Sequence, residues 1–382
     1  MRCARDSLSP RVPCTWETGP RMQLSVLSAR PGKSSLFRMW CGLDGVTWDQ
    51  ASAVSGGREN MRRHRKLIRA CVVLSLCLPI GLLVVQKRGI PFVSKKEQWS
   101  IGIYQGDSPF HFESIRNAWN PILRAEDVTD IPANFVADPF LVKEAGTWYL
   151  FFEAYNRSTD QGDLAVATSS NTWSWKYQRV IVDEPFHLSY PYVFKWQGEY
   201  YLVPESGEAN SIRLYKAEDF PYSWTYVATL IEGRDFPDNS LAYFNDRWWL
   251  FTSQTGNDTL RLYYADDLTG SWQEHPESPI VEGDANIARP GGRVLVYENH
   301  LYRYTQDSDP YYGNKLWAFE ITEISPTTYE EHLVSSESIL AISGSGWNAS
   351  AMHNLDPVEV SKNNWVAAVD GFGEYLIFGP QY

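Results

Sequence analysis

Acidic side chains recur at equivalent places in the second part of the chain. Asp138, Asp238 and Asp356 each open a short apolar strand, and Glu153 and Glu205 each close an aromatic-rich strand. Glycosidic chemistry uses such carboxyl groups, because one is held protonated as an acid while another stays ionised as a base or nucleophile. The many Trp and Tyr residues offer stacking faces and hydroxyl groups to sugars. These residue types favour a site for carbohydrate.

The acidic positions belong to a repeat of two hairpins. Each copy has a turn-like start, a short apolar strand, a polar turn, an aromatic-rich strand and then a second hairpin. The copies start at residues 138, 190, 238, 289 and 356, so successive starts are 52, 48, 51 and 67 residues apart. Short hairpins at a period of about 50 residues are typical of propeller blades. The sequence therefore predicts an all-β, five-bladed β-propeller with four-stranded blades over residues 98–382.

The two ends of the repeat region complete the ring in this prediction. Residues 99–104 and 374–378 are both strand-like, and we expect these termini to pair within one blade. Such pairing removes exposed sheet edges. A β-sandwich, the competing fold, would show no period of this kind.

Equivalent positions of a propeller converge at its axis, so aligning the copies predicts a site. The carboxyl groups gathered in this way are the catalytic candidates: Asp138, with Glu205 or Asp238 as the acid and Asp356 or Glu153 tuning them. The ends of the aromatic-rich strands form a second column: Glu153, Glu205, Ser253, Gln306 and Asp370. The side chains expected to bind substrate are Glu153, Tyr190, Arg289, Arg293 and Asp356.

Each of these residues also has a structural interpretation. Asp138 and Asp356 precede prolines, and an Asp-Pro pair commonly forms a strand-entry turn. Arg289 and Arg293 could bind a sugar carboxylate or phosphate bidentately, or they could pair with the acids around the axis. Glutamates at strand ends are ordinary solvated residues.

Metal and cofactor signals are sparse in the acidic part of the chain. All 5 cysteines lie within the first 77 residues, which excludes a thiolate metal site or a cysteine nucleophile there. His187 and His353 could face the tunnel. We expect no cofactor, although an axial calcium ion would suit the surplus of carboxylates. Asn156, Asn257 and Asn348 begin glycosylation sequons, which matter only in a eukaryotic host.

The two parts of the chain carry opposite charge. Residues 1–97 hold 17 basic and 6 acidic side chains, whereas residues 98–382 hold 17 and 40, which gives −12 overall. The acidic part would repel phosphate backbones, so we expect no nucleic-acid partner.

An apolar segment separates these parts. Residues 70–85 carry no charge and follow a basic stretch at 61–69, which predicts an uncleaved signal anchor, that is, one N-terminal transmembrane helix. The positive-inside rule places the N-terminus in the cytoplasm and the propeller outside it, in a periplasm, a lumen or at the cell surface. Residues 1–60 lack periodicity, so we expect a disordered tail or an untranslated extension upstream of Met61. Residues 61–97 are then basic flank, anchor and linker.

Several motifs, in this order, resemble the N-terminal propeller of plant glucosamine inositolphosphorylceramide transferases and its bacterial relatives. They are VADPF at 136–140, LSYPYVF at 188–194, VPES at 203–206, RWWLF at 247–251 and ARPGGR at 288–293. More distantly, the chain is similar to five-bladed glycoside hydrolases of the arabinanase and invertase kind. That likeness implies a funnel-shaped axial pocket, with Asp138 at the place of their base or nucleophile. The hydrolases carry further carboxylates on the next inner strands, where this chain has Tyr190 and Asp238.

Two functions of different classes follow. The first is a membrane-anchored glycoside hydrolase-like enzyme, or part of a glycosyl-transfer system, acting on glycans or glycolipids. The second is a non-catalytic glycan-binding propeller that assists a partner glycosyltransferase, because in the plant transferases a separate glycosyltransferase domain follows the propeller. A protein-interaction scaffold is a third use of the fold.

Overall fold

Five antiparallel β-sheets form the body of the protein in the computed structural model. The structure describes residues 65–68, 93–114 and 119–378. The chain divides into two units, Met1–Leu78 and Pro79–Tyr382. In the first unit, residues 65–68 are an exposed helical turn, and the second unit contains the strands given below.

Strands are numbered in chain order. The first two are β1 (Val93–Ser108) and β2 (His111–Ser114), which belong to the last blade. Blade 1 is a meander of β3 (Ala133–Glu144), β4 (Thr147–Asn156), β5 (Gln161–Ser169) and β6 (Lys176–Val182). Blade 2 repeats this order with β7 (Ser189–Trp196), β8 (Glu199–Glu205), β9 (Ser211–Asp219) and β10 (Ser223–Glu232).

Blades 3 and 4 have an interrupted outer strand. Blade 3 contains β11 (Ser240–Phe244), β12 (Arg247–Ser253), β13 (Thr259–Ala265), β14 (Gln273–Glu274) and β15 (Val281–Glu282). Blade 4 contains β16 (Leu295–Tyr297), β17 (His300–Asp307), β18 (Lys315–Ile324), β19 (Tyr329–Leu333) and β20 (Leu340–Ala341). In each blade the last two strands pair with the same third strand, so they are two pieces of one outer strand.

Blade 5 joins the two ends of the repeat region. Its inner strands are β21 (Leu355–Ser361) and β22 (Asn364–Phe378), and β1 and β2 complete it in the order β21-β22-β1-β2. The register places Ile101 opposite Asp370 and Trp99 opposite Phe372. The predicted ring closure is thereby confirmed. Within the residues that the structure describes, three short 3-10 helices lie in the connections, at Ala125–Asp127, Gly207–Ala209 and Gly346–Asn348.

The core lies between neighbouring blades, where side chains of adjacent sheets pack in apolar clusters. On β4, Leu150, Phe151 and Phe152 are all fully buried, although successive side chains of a strand point to opposite faces. A middle strand of a blade is covered on both faces, and this selects continuous apolar runs instead of alternation. The outer strand β10 is mostly accessible to solvent.

The predicted all-β, five-bladed, four-stranded architecture is therefore confirmed. The predicted transmembrane segment at residues 70–85 lies outside the described residues, as does the extension at 1–60. Among the residues that the structure describes, no helix has the length and apolar character needed to cross a membrane.

Candidate functional site

Three residues at equivalent places in or just before the inner strands of blades 1 to 3 share an unusual backbone conformation. Asp138, Tyr190 and Asp238 have φ values of 52°, 47° and 53°, a left-handed region that non-glycine residues enter rarely and at a cost of about 1–3 kcal/mol. In each case the backbone N–H donates to a carboxylate at the axis. Asp138 donates to Asp370 Oδ2 at 3.1 Å, Tyr190 to Asp138 Oδ2 at 3.2 Å, and Asp238 to Glu205 Oε2 at 3.1 Å. These bonds gather carboxyl groups of blades 1, 2, 3 and 5 into one group, which we call the acid cluster: Asp138, Glu205, Asp238 and Asp370.

Asp138 forms an ion pair across the closure of the ring. His353 Nε2 lies 3.1 Å from Asp138 Oδ1, and His353 Nδ1 lies 2.9 Å from Asp370 Oδ2. Burial disfavours the charged imidazole, but Asp370, with Tyr312 and Asp138, outweighs burial and holds the pKa of His353 well above its usual value. Asp370 also accepts the backbone N–H groups of His353 and Asn354 at 3.0 Å. Asp138 therefore faces a cation.

The same three side chains are a candidate cation site. One ligand atom each of Asp138, His353 and Asp370 lies within 4.8 Å of the others. Calcium prefers oxygen ligands, and one of these three groups is an imidazole. The arrangement fits an imidazole held between two carboxylates better than it fits the calcium ion that the carboxylate surplus would suit.

Arg289 links Asp238 with Glu205. Arg289 Nε donates to Asp238 Oδ2 at 2.6 Å, and Arg289 Nη2 lies 3.7 Å from Glu205 Oε2. Gln306 Nε2 also donates to Asp238 Oδ2, at 2.9 Å, and Asn257 Oδ1 accepts from Arg289 Nη1 at 2.7 Å. Charge-assisted bonds of this kind favour an ionised carboxylate. Asp238 Oδ2 therefore accepts hydrogen bonds from two side chains.

Glu205 has the properties of an acid. Burial, followed by the charge of Asp238, raises the pKa of Glu205 to about 8, although Arg289 opposes the shift. Its side chain keeps 17% of its surface exposed, against 2% for Asp238. The choice between Glu205 and Asp238 as the acid stays a prediction.

Glu153 lies in the same cluster. Its side chain is buried, and burial together with the charges of Asp138 and Glu205 raises its pKa well above the usual value. His187 Nε2 lies 3.7 Å from Glu153 Oε1. The cluster thus contains two carboxyl groups whose surroundings favour the protonated form.

Arg293 and Asp356 pair with each other away from this cluster. Arg293 donates to Asp356 Oδ1 at 2.7 Å and to Oδ2 at 3.2 Å, and its Nη1 donates to Val193 O at 3.0 Å. Asp356 Oδ2 also accepts the Leu141 N–H at 2.6 Å. The pair ties blades together, and its role in substrate binding stays a prediction.

Tyr190 likewise turns its side chain into the fold. Its hydroxyl lies 2.8 Å from Ser240 Oγ and accepts the Gly292 N–H at 2.7 Å, and 1% of the residue is exposed. The hydroxyl joins blades 2, 3 and 4, so the backbone N–H is the part of Tyr190 that contacts the acid cluster.

A cavity of about 830 Å³ lies at the opposite end of the strands, where the hairpin turns lie. Arg293 lines it together with Lys143, Glu144 and Trp365. No residue of the acid cluster lines this cavity.

Aromatic residues flank the acid cluster on two sides. The Trp99 and Tyr312 rings lie 4.2 Å and 5.1 Å from the His353 ring between centroids, and Tyr312 is 38% exposed. On the blade 1 side, Phe135 and Tyr155 stack at 4.8 Å. These faces could support a sugar ring.

Trp99, Tyr312 and Asn257 lie beside the acid cluster, although the repeat pattern predicts no site role for them. Asp370 belongs to the second column of the repeat, and its contacts with Asp138 and His353 add it to the site. Tyr312 lies in a connection without repeat signal, so only the fold could place it. Asn257 begins a sequon, and its side-chain oxygen accepts a hydrogen bond from Arg289. The other two sequon residues, Asn156 and Asn348, are buried and donate to Asp163 and Tyr104.

Comparison with known proteins identifies relatives of this propeller. Residues 93–372 match the family described as glucosamine inositolphosphorylceramide transferase 1, N-terminal. The transferase of that name from Oryza sativa subsp. japonica is 36% identical over 296 residues, covering 72% of this chain and 40% of the relative. The one from Arabidopsis thaliana is 34% identical, covering 72% and 39%. The chain thus spans about two fifths of the length of these curated relatives.

A solved structure shares the fold at low sequence identity. The β-1,2-mannobiose phosphorylase from Listeria innocua superposes with a TM-score of 0.52 at 12% identity, covering 70% of this chain and 96% of that one. This likeness concerns the propeller fold alone. On the match over residues 93–372 and the identity with the plant proteins, the chain belongs to the family of glucosamine inositolphosphorylceramide transferase 1 N-terminal domains.

Proposed function

We propose that this propeller acts on the glycosidic bond of a glycan or glycolipid, within a glycosyl-transfer system, through the acid cluster at its axis. The observation that carries the proposal is the contrast between two carboxyl groups. Asp138 faces the His353 cation at 3.1 Å, whereas burial and Asp238 raise the pKa of Glu205 to about 8. An ionised and a protonated carboxyl group in one site are the pair that glycosidic cleavage requires.

The roles follow from these states. Glu205 gives its proton to the leaving glycosidic oxygen as the bond from that oxygen to the anomeric carbon breaks. Asp138 either accepts a proton from the attacking water or attacks the anomeric carbon itself. The separation of the two carboxyl groups around the bound sugar decides between inversion and retention. Trp99 and Tyr312 offer stacking faces beside Asp138 and His353.

A non-catalytic glycan-binding role is the second candidate, and one observation favours it. Both oxygens of Asp138 are engaged, Oδ1 by His353 and Oδ2 by the Tyr190 N–H, and the Asp138 side chain is 7% exposed. A carboxylate held in this way is a weaker base and nucleophile. In this role the propeller presents a glycan or glycolipid to a partner glycosyltransferase, and its relatives are named as glucosamine inositolphosphorylceramide transferases.

Membrane anchoring is part of the proposal. The uncharged residues 70–85 and the basic stretch before them support a signal anchor with the propeller outside the cytoplasm. Protease treatment of sealed membrane vesicles tests this. Protection of the propeller in vesicles that enclose the lumenal or periplasmic side supports it, and cleavage there contradicts it.

The function is tested with purified full-length protein on a panel of glycosides and glycolipids, measuring both binding and release of sugar. Glu205→Gln serves as the variant and exposed Glu218→Gln as its matched control. Turnover lost in Glu205→Gln and kept in the control supports the enzyme. Binding without turnover in the wild type supports the presenting role, and absence of binding contradicts both.

A further inference from the structure

His187 is held in one tautomer by the backbone. The Gly162 N–H donates to His187 Nδ1 at 2.9 Å, so Nδ1 carries a lone pair and the ring proton lies on Nε2. Burial lowers the pKa of His187, although Glu208, Asp138 and Asp238 oppose this. Protonating Nδ1 would point two N–H groups at each other. His187 is therefore an uncharged ring that presents Nε2–H.

The proton-bearing nitrogen faces Glu153. His187 Nε2 lies 3.7 Å from Glu153 Oε1, and a small movement would bring the two atoms into hydrogen-bonding distance. Within the described residues, Glu153 Oε1 is buried and has no hydrogen-bond partner. The His187 side chain keeps 25% of its surface exposed, compared with 6% for Glu153.

Gly162 is what allows this approach. A Cβ atom at residue 162 would lie 2.7 Å from Glu153 Oε1, 2.9 Å from His187 Cε1 and 2.3 Å from Leu188 O. Only glycine leaves room for the amide, the imidazole and the carboxyl group together.

The surroundings of Glu153 disfavour a negative charge. The nearby titratable groups are the carboxyl groups of Asp138, Glu205 and Asp238 and the imidazole of His353. Burial and the charge of Asp138 raise the pKa of Glu153 well above its usual value, and Glu205 adds to this shift only when it is ionised. The uncharged His187 adds a donor without adding a positive charge.

We propose that Glu153 is a neutral carboxylic acid at neutral pH that donates its Oε2–H to an oxygen of the bound ligand. His187 is the positioning residue, because its Nε2–H directs the Glu153 proton to Oε2. The ligand class, a hydroxyl or glycosidic oxygen of a glycan, rests on the function proposed above. A metal on His187 Nε2 is disfavoured, since it would require the ring proton on Nδ1, where the Gly162 N–H points.

Infrared spectroscopy of the full-length protein at neutral pH tests the protonation state without needing a ligand. The carbonyl band of protonated carboxyl groups should lose one component in Glu153→Gln and stay unchanged in Glu218→Gln. A Glu153→Gln spectrum identical to that of the wild type in this band overturns the proposal.

The positioning role has its own readout. His187→Gln keeps an uncharged donor, so the infrared band of the protonated Glu153 carboxyl group should remain. His187→Lys adds a cation, so Glu153 should lose its proton and its signal should move to the carboxylate band. Ring-nitrogen NMR of the wild type covers the case in which the lysine variant does not fold. A proton on His187 Nε2 supports the proposal, and a proton on Nδ1 overturns it.

Ligand binding then separates this inference from the proposed function. Glu153→Gln keeps a donor and should bind the glycan identified by the panel as the wild type does, whereas Glu153→Leu should lose about fivefold in affinity. Equal loss in both variants contradicts donation. If no glycan binds, the proposed function fails, while the infrared result still decides the protonation of Glu153.

Discussion

His353 in blade 5 and Asp138 in blade 1 form a buried ion pair across the point where the ring closes, with 3.1 Å between Nε2 and Oδ1. The pair lies where the chain ends of the propeller meet. The contact holds the first and last blades together, and it also places a cation beside Asp138, the residue proposed as the base or nucleophile.

Removing His353 should destabilise the protein. His353→Gln leaves the buried carboxylates of Asp138 and Asp370 without their cation, and breaking a buried pair in this way costs about 3–5 kcal/mol. We expect a loss of about 3 kcal/mol in the free energy of unfolding, measured by denaturant titration. His111→Gln, at an exposed histidine, is the control. A loss below about 1 kcal/mol would show that His353 does not compensate the two acids.

The pH dependence of stability should report Glu205. Its folded pKa of about 8 lies above the ordinary value of 4.5, so the unfolded chain releases the proton first as the pH rises. The contribution of Glu205 to stability is complete below pH 4.5 and is lost as the pH rises to about 8. The slope reaches about 1.4 kcal/mol per pH unit for one group.

Glu205→Gln should remove that part of the slope. Chemical denaturation at several pH values between these limits measures it, with Glu218→Gln as the control. Parallel curves for the wild type and Glu205→Gln would mean that Glu205 ionises normally.

Gly292 should tolerate no side chain. Its φ is 142°, and a Cβ there would lie 1.8 Å from Leu355 O on the neighbouring blade. Gly198 has a φ of 87° with open space around it, so Gly198→Ala isolates the backbone cost, which exceeds about 0.5–1 kcal/mol. We expect Gly292→Ala to lower the thermal midpoint by clearly more than Gly198→Ala, in differential scanning calorimetry. Equal shifts would mean that blades 4 and 5 separate easily at this contact.

The fold was accessible from the sequence because each blade repeats one hydrophobic pattern. Aromatic-rich runs such as 148–153 are buried on both faces, so the pattern survives in every copy. Closure was also predictable, since strand-like segments were left over at both ends. Aligned repeats identify residues at equivalent positions of the blades, and such positions converge at the axis of a propeller. The two aligned columns, one containing Asp138 and the other Glu205, therefore contain the residues that the fold brings together.

The carboxyl groups at the axis differ in their charge partners, because the contacts between blades do not follow the symmetry of the repeat. Arg289 pairs with Asp238, and Arg293 pairs with Asp356, although both arginines come from one motif. His353 and Tyr312 come from irregular connections, where no period indicates the direction of a side chain. The left-handed backbone at residue 190 turns the Tyr190 hydroxyl away from the cluster and its N–H toward it. A pattern of residue types cannot encode these pairings, because they depend on three-dimensional distances between blades.

Turnover and binding by Asp138→Asn show whether Asp138 acts as the base or nucleophile. The substitution keeps the shape of the side chain and removes its charge. We expect sugar release to fall by at least about a hundredfold, the lower range for loss of a catalytic base, while glycan affinity measured by calorimetry stays within about twofold of the wild type. Sugar release at the wild-type rate by Asp138→Asn would exclude a catalytic role for Asp138.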